Sequence, residues 1–278
     1  MIRLLILFIC LSELAHAVTP VRVVSQTVGT DELLIALAEP AQIAALSHIS
    51  KQAEFSSVAE QAKAYPSISA GDSEAILRYK PTLVLFADYS RAELVANVKK
   101  TGVRVIVFDR YATLADVYSN LRTLGKELGR EARAEELIAE CEARMARLRE
   151  KLKGVKPVRV VNASTYGLLS GAGTTFQDLC DHAGAENLAT TLGGMKGVAP
   201  EVSEKMLVWP IDAVVLGGEG TVEEALAPLR GILPYRHVAA VKNGRAVVLP
   251  SALLASVSHH RIEAYERLAR GLHPEVFK

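Results

Sequence analysis

The sequence predicts an α/β protein of two similar parallel-sheet lobes joined by one long rigid helix, with a ligand cleft between the lobes. Three observations predict it. Strand-like runs are apolar at nearly every position, one order of short motifs occurs twice, and a long stretch of helical periodicity separates the two occurrences.

The first occurrence begins with the β-branched run Val21-Arg22-Val23-Val24 and polar Ser25-Gln26-Thr27. A helical pattern follows at 31–38, with Asp31 placed to start it. Ser73-Glu74-Ala75-Ile76-Leu77 and Pro81 precede an apolar strand at 83–86, and Gly102 precedes a strand at 103–108. The second occurrence keeps this order. Val158-Arg159-Val160-Val161 leads into polar Asn162-Ala163-Ser164-Thr165, then a helix at 175–183. Ser203-Glu204-Lys205-Met206-Leu207 and Pro210 precede a strand at 213–216, and Gly244 precedes a strand at 245–249. Order kept over such a length argues for two Rossmann-like lobes of the same build.

Apolar strands alternating with helices indicate parallel sheets covered on both faces. Such sheets bind ligands at the loops after the carboxyl ends of their strands. Here those loops are 25–27, 47–50, 88–91, 109–113, 162–167, 195–200 and 251–260. Two lobes with facing loop ends enclose a cleft, the default binding site.

Between the lobes, Leu114, Val117, Leu121, Leu124 and Leu128 recur at helical spacing. After Gly129-Arg130, so do Ala134, Leu137, Ile138, Cys141, Met145, Leu148 and Leu152. The second stretch, 131–153, would make a helix of about 23 residues and roughly 35 Å, long enough to run from lobe to lobe. A helical connector resists bending, so only a small closure on ligand binding is expected. Cys141 falls on the apolar stripe, so Cys141 and Cys180 are expected as separate buried thiols.

The amino terminus reads as an export signal: Arg3, an apolar run from Leu4 to Leu11, and Ala15-His16-Ala17 as the cleavage site. The run is too short to span a bilayer, which takes roughly 20 residues. Ile9 and Phe8 precede Cys10 where a lipobox wants small residues, so lipid anchoring is disfavoured. The expected organisation is a signal peptide at 1–17, an N-terminal lobe at 18–113, a helical segment at 114–156 and a C-terminal lobe at 157–278. With 32 basic against 31 acidic residues, no net field points to nucleic acid or an anionic membrane.

These residues resemble the substrate-binding proteins of ABC importers for iron complexes, haem and vitamin B12, whose lobes are joined by a rigid helix. The likeness covers essentially the whole mature chain. It rests on Arg22-Val23-Val24-Ser25-Gln26, on the run from Ser73 to Leu85 through Lys80-Pro81, and on Gly129-Arg130-Glu131 with Ala134-Glu135 and Leu137-Ile138 opening the long helix. Gly184-Ala185-Glu186-Asn187-Leu188-Ala189 and Val241-Lys242-Asn243-Gly244-Arg245-Ala246 complete it. The resemblance implies a monomeric periplasmic carrier with no intrinsic cofactor, which hands a corrinoid, haem or ferric siderophore to an ABC permease dimer and its ATPase. It also implies one surface glutamate per lobe that docks on permease arginines. Glu74 fits the first position. Glu204 fits the second, with Glu201 in reserve, although Val202-Ser203-Glu204 is one residue tighter than the family pattern.

Seven residues in the strand-following loops are candidate ligand contacts: His48, Tyr89, Arg110, Tyr111, Tyr166, His259 and His260. A neutral imidazole of His259 or His260 could coordinate the metal of a chelate. The tyrosines could pack on a macrocycle or ligate iron as phenolate, or be ordinary loop aromatics. Only Arg110 and Arg91 are obvious cations for a carboxylate siderophore, which mildly favours a macrocycle. Two other functions fit the same architecture, a chelatase-like enzyme and a free-standing sensor or scavenger. No nucleophile–base pair or carboxylate dyad is readable. Gly171-Ala172-Gly173-Thr174-Thr175 lacks the lysine of a phosphate loop, so no enzyme is expected.

Overall fold

A computed structural model describes residues 20–69, 71–200 and 203–278. The expected signal segment with Cys10, and Glu201, lie outside the described residues. The N-terminal lobe contains β1 (Val23–Ser25), β2 (Ile43–Ser47), β3 (Ser67–Ile68), β4 (Leu83–Ala87) and β5 (Arg104–Phe108). They form one parallel sheet in the order β3-β2-β1-β4-β5. The C-terminal lobe adds β6 (Val158–Asn162), β7 (Leu168–Ser170), β8 (Ala185–Asn187), β9 (Val198–Pro200), β10 (Ala213–Gly217) and β11 (Ala246–Leu249). Its parallel sheet runs β11-β10-β6-β8, and β7 pairs with β9 as a separate antiparallel ribbon. The chain is thus two parallel-sheet α/β lobes.

Successive side chains of a strand point to opposite faces, and the strands use both. Val23, Leu83 and Leu85 join one core, whereas Val24, Val84 and Phe86 join another with Ile76, Leu94 and Val98. In the other lobe Val160, Ala213 and Val215 face one way and Val161, Val214 and Leu216 the other. The first set of each lobe belongs to the same cluster. Helices Leu114–Leu128 and Glu131–Lys151 fill the space between, through Leu121, Leu124, Ile138, Cys141 and Met145.

The long helix has 21 residues, so it runs about 31 Å. It ends two residues before the limit that periodicity suggests. Gly129, at φ 66, supplies the left-handed turn between the two linking helices, which a side chain would strain. Cys141 and Cys180 are free and buried.

The first helix departs from expectation. It spans Val28–Leu37 and begins three residues before Asp31, because Thr27 caps it and forms a capping box with Thr30. Asp31 turns instead to the end of β2. Its Oδ2 accepts from the Ser47 amide at 2.9 Å and from the Ser50 hydroxyl.

Candidate ligand site

The loops at the carboxyl ends of β1, β2 and β4 converge on a cavity of about 700 Å³, with Gln26, Ile49, Tyr89 and Arg91 among its walls. It continues into a second cavity of about 310 Å³ through the shared residues Val28, Ile49 and Tyr89. The second cavity lies between the lobes: Gly29, Glu32 and Phe55 come from one, Ala252, Ala255 and Val257 from the other. Small-molecule sites typically measure about 300–1,000 Å³ and combine apolar walls with a few polar groups, and this pair of cavities has that character.

Tyr89 stands where the two cavities meet. The residue is 58 % exposed, while its hydroxyl reaches back beside Gly29 at the start of the first helix. Burial there pushes its ionisation up, a hydrogen bond with Thr27 opposes this, and the carboxylates Asp88, Asp31 and Glu32 add to the rise. Tyr111 meets the Tyr89 ring edge-on, with centroids 5.8 Å apart and planes at 84°. The Tyr111 hydroxyl donates to Asp88 at 2.8 Å. Burial and that bond push its pKa up to about 12.

Tyr111 touches Tyr89 but itself lines neither cavity. His48 is exposed on the turn after β2, with its Nδ1 3.3 Å from the Ile68 carbonyl, between cavity residues Ser47 and Ile49. Arg110 is paired with Asp116 at 2.9 Å. Tyr166 is 85 % exposed on the turn before β7 and lines neither cavity.

His259 and His260 are not brought to the cavity either. They precede the last helix, Arg261–Leu272, and their rings lie 4.2 Å apart. Burial, then His260 and the guanidinium groups of Arg133 and Arg144 on the long helix, push His259 down to about 3. Burial and Arg144 lower His260, against the pull of Glu263. Both are therefore neutral near pH 7. Among the described residues, no group of three or more His, Cys, Asp or Glu side chains is placed to hold a bare metal ion.

Reading by residue type missed Phe55, Glu32 and Val257. Phe55 is 48 % exposed on a turn, and its one sequence signal is a large aromatic in a polar stretch. The two lobes meet through Glu32, whose Oε1 accepts from the Ser57 amide at 2.9 Å and Oε2 from the Ser258 hydroxyl at 2.5 Å. Burial raises its pKa to about 7. Glu74 and Glu204 are both exposed, each in the first turn of a short helix, Ser73–Leu77 and Ser203–Met206. A carboxylate is favoured there by the helix dipole whatever else it does.

Two parallel-sheet lobes, a helical spine and a cavity whose walls come from both lobes define a two-lobed ligand-binding protein. The chain belongs to the periplasmic binding protein family, whose model matches residues 23–253. That family and the structural neighbours are binding proteins, not enzymes. Among curated proteins it is similar to YvrC of Bacillus subtilis (strain 168), an uncharacterized ABC transporter substrate-binding lipoprotein. The two are 24 % identical over 214 residues, 74 % of this chain and 66 % of that protein, just under two thirds of its length. Among solved structures it is similar to the periplasmic heme-binding protein RhuT from Roseiflexus sp. RS-1. That match has TM-score 0.79 and 21 % identity, and covers 93 % of this chain and 100 % of that one. A periplasmic heme-binding protein from Pseudomonas aeruginosa matches with TM-score 0.78 and 24 % identity, over 92 % of this chain and 94 % of that one.

Proposed function

We propose that the chain is the substrate-binding component of an ABC importer and that its ligand is haem. The observation that carries this reading is Tyr89: a phenol at the junction of two cavities, its ring open and its edge backed by Tyr111. A phenolate oxygen is a known axial ligand for haem iron. Ile49, Phe55 and Val257 supply apolar wall for a flat macrocycle. Arg91, at the edge of the larger cavity, suits a propionate.

Two related chelates fit less well. A carboxylate siderophore wants several cations, and of the two arginines considered for it Arg110 is already paired with Asp116. A corrinoid ligated through histidine would need an imidazole among the cavity walls, which hold none among the described residues. The names of similar structures, which include heme-binding proteins from Roseiflexus and Pseudomonas aeruginosa, support the same choice. In this reading the chain works in the periplasm after cleavage at Ala17, as a monomer without lipid anchor. Glu74 and Glu204 dock it on a permease dimer that an ATPase drives.

The test is hemin titration of the chain from Val18 onward, followed by absorption. Stoichiometric binding with a tyrosinate–iron charge-transfer band is expected, and Tyr89→Phe should lose the band and at least tenfold in affinity. Cobalamin binding in place of hemin would move the ligand to a corrinoid. Binding of neither, with turnover of a porphyrin and a metal ion, would favour a chelatase, and an absent partner permease a scavenger.

A further inference from the structure

Arg261 is the first residue of the last helix and is 2 % exposed. A cation there opposes the dipole of its own helix, and a buried charge is costly unless it is paired and hydrogen-bonded. Arg261 meets that demand by reaching out of its lobe. Nη1 donates to Asp178 Oδ2 at 3.0 Å and to the Ala112 carbonyl at 3.1 Å. Nη2 donates to the Tyr111 carbonyl at 2.7 Å and to the Ser256 carbonyl at 3.0 Å. Two of its four acceptors are thus main-chain oxygens of the loop that carries Tyr111, on the far side of the lobe boundary. A third bond crosses that boundary from the same segment, Ser258 Oγ to Glu32.

We propose that Arg261 is a positioning residue for the ligand: from the C-terminal lobe it fixes the loop of Tyr111, and through the Tyr111 ring the placement of Tyr89 over the cavity. This rests on the reading that Tyr89 contacts the ligand. A guanidinium suits the task because its planar donors are set at fixed angles and engage several acceptors at once. A lysine ammonium in its place would keep a charge for Asp178 but not the fork that holds both carbonyls. The consequence is that the orientation of the aromatic pair in one lobe depends on a side chain of the other.

The test uses Arg261→Lys, which preserves the charge, and Tyr265→Phe, which removes the phenol bond to Asp178 but leaves the tyrosine loop alone. Without ligand, ultraviolet titration of each protein against its own Tyr111→Phe counterpart isolates Tyr111. Arg261→Lys should move that ionisation from about 12 toward the ordinary value near 10, and Tyr265→Phe should not. With hemin, Arg261→Lys should weaken binding about tenfold and broaden the charge-transfer band, with no further loss when added to Tyr111→Ala. An unchanged Tyr111 titration, or losses that simply add, would overturn the proposal. If Arg261→Lys does not fold, backbone relaxation of the unaltered protein decides. Loop 109–113 should be as ordered as the strands, and order parameters below about 0.6 would refute it. Failure of the unaltered protein to bind hemin overturns the haem reading alone, because the titration and the loop order still judge Arg261.

Discussion

The carboxylate of Glu32 and the hydroxyl of Ser258 meet at 2.5 Å beneath the cavity, one residue from each lobe. Burial raises the Glu32 pKa from 4.5 to about 7, so the folded protein holds this proton over a range where the unfolded chain has released it. Stability therefore falls as pH rises from 4.5 to 7, by about 3 kcal/mol at one pKa unit per 1.4 kcal/mol. Glu32→Gln keeps the shape without the charge. In urea melts it should match the unaltered protein near pH 4 and exceed it by up to about 3 kcal/mol at pH 8. Equal stabilities at pH 8 would contradict this. Asp31 is raised in the same direction, in small part by the Glu32 charge, so some of the gain in Glu32→Gln comes through Asp31.

His259 carries the opposite sign. Its folded pKa, about 3, lies below the ordinary 6.5, so its contribution is complete above 6.5 and is lost as pH falls toward 3. His259→Asn should lose roughly 3 kcal/mol less than the unaltered protein between pH 6.5 and 4. Denaturant midpoints across that range measure it, and parallel curves for the two proteins would show that this ring does not titrate as a buried group.

Gly29 is a helical residue at which alanine would ordinarily gain up to about 1 kcal/mol. Here the added methyl would lie 2.2 Å from Val257 Cγ2 of the other lobe. Overpacking of this kind typically costs about 1–3 kcal/mol, so it outweighs the helical gain. Gly29→Ala should lower thermal stability and weaken hemin binding, and adding Val257→Ala should recover most of both. A more stable single variant would show that the lobes separate there at little cost.

Charge reversal at both Glu74 and Glu204, each to Lys, should abolish uptake by cells that carry the transporter while hemin affinity stays within twofold. Weakened ligand binding in the purified variant would place these residues in the site rather than on a docking face.

The strands at the centre of each sheet were legible because Val23-Val24, Leu83 to Phe86 and Val160-Val161 are apolar on both faces. The linking helices were legible from their spacing. β3 and β8 were not, because Ser67-Ile68 and Ala185-Glu186-Asn187 carry no apolar run and take strand geometry only from the neighbour each pairs with. The same limit applied to the site. Tyr89 and Tyr111 were named because they follow strand ends, and of the two Tyr89 lines the cavities. Glu32 and Val257 were not named, since what matters about each is the other lobe. The histidine pair was drawn toward the cleft by its position in a strand-following loop, whereas neither ring lines a cavity and His259 feels the guanidinium groups of Arg133 and Arg144 on the long helix.

One core runs without interruption from Val23 through Leu121 and Ile138 to Val160 and Leu268. Neither sheet closes its inner face alone, and a fragment ended at Gly154 would leave the stripe of Cys141, Met145 and Leu148 short of the partners that later residues bring. The core is complete only when Arg261–Leu272, far along the sequence from Val23, has joined it. The order of residues along the polypeptide thus makes the inner faces of both lobes wait on one late helix before either is fully covered.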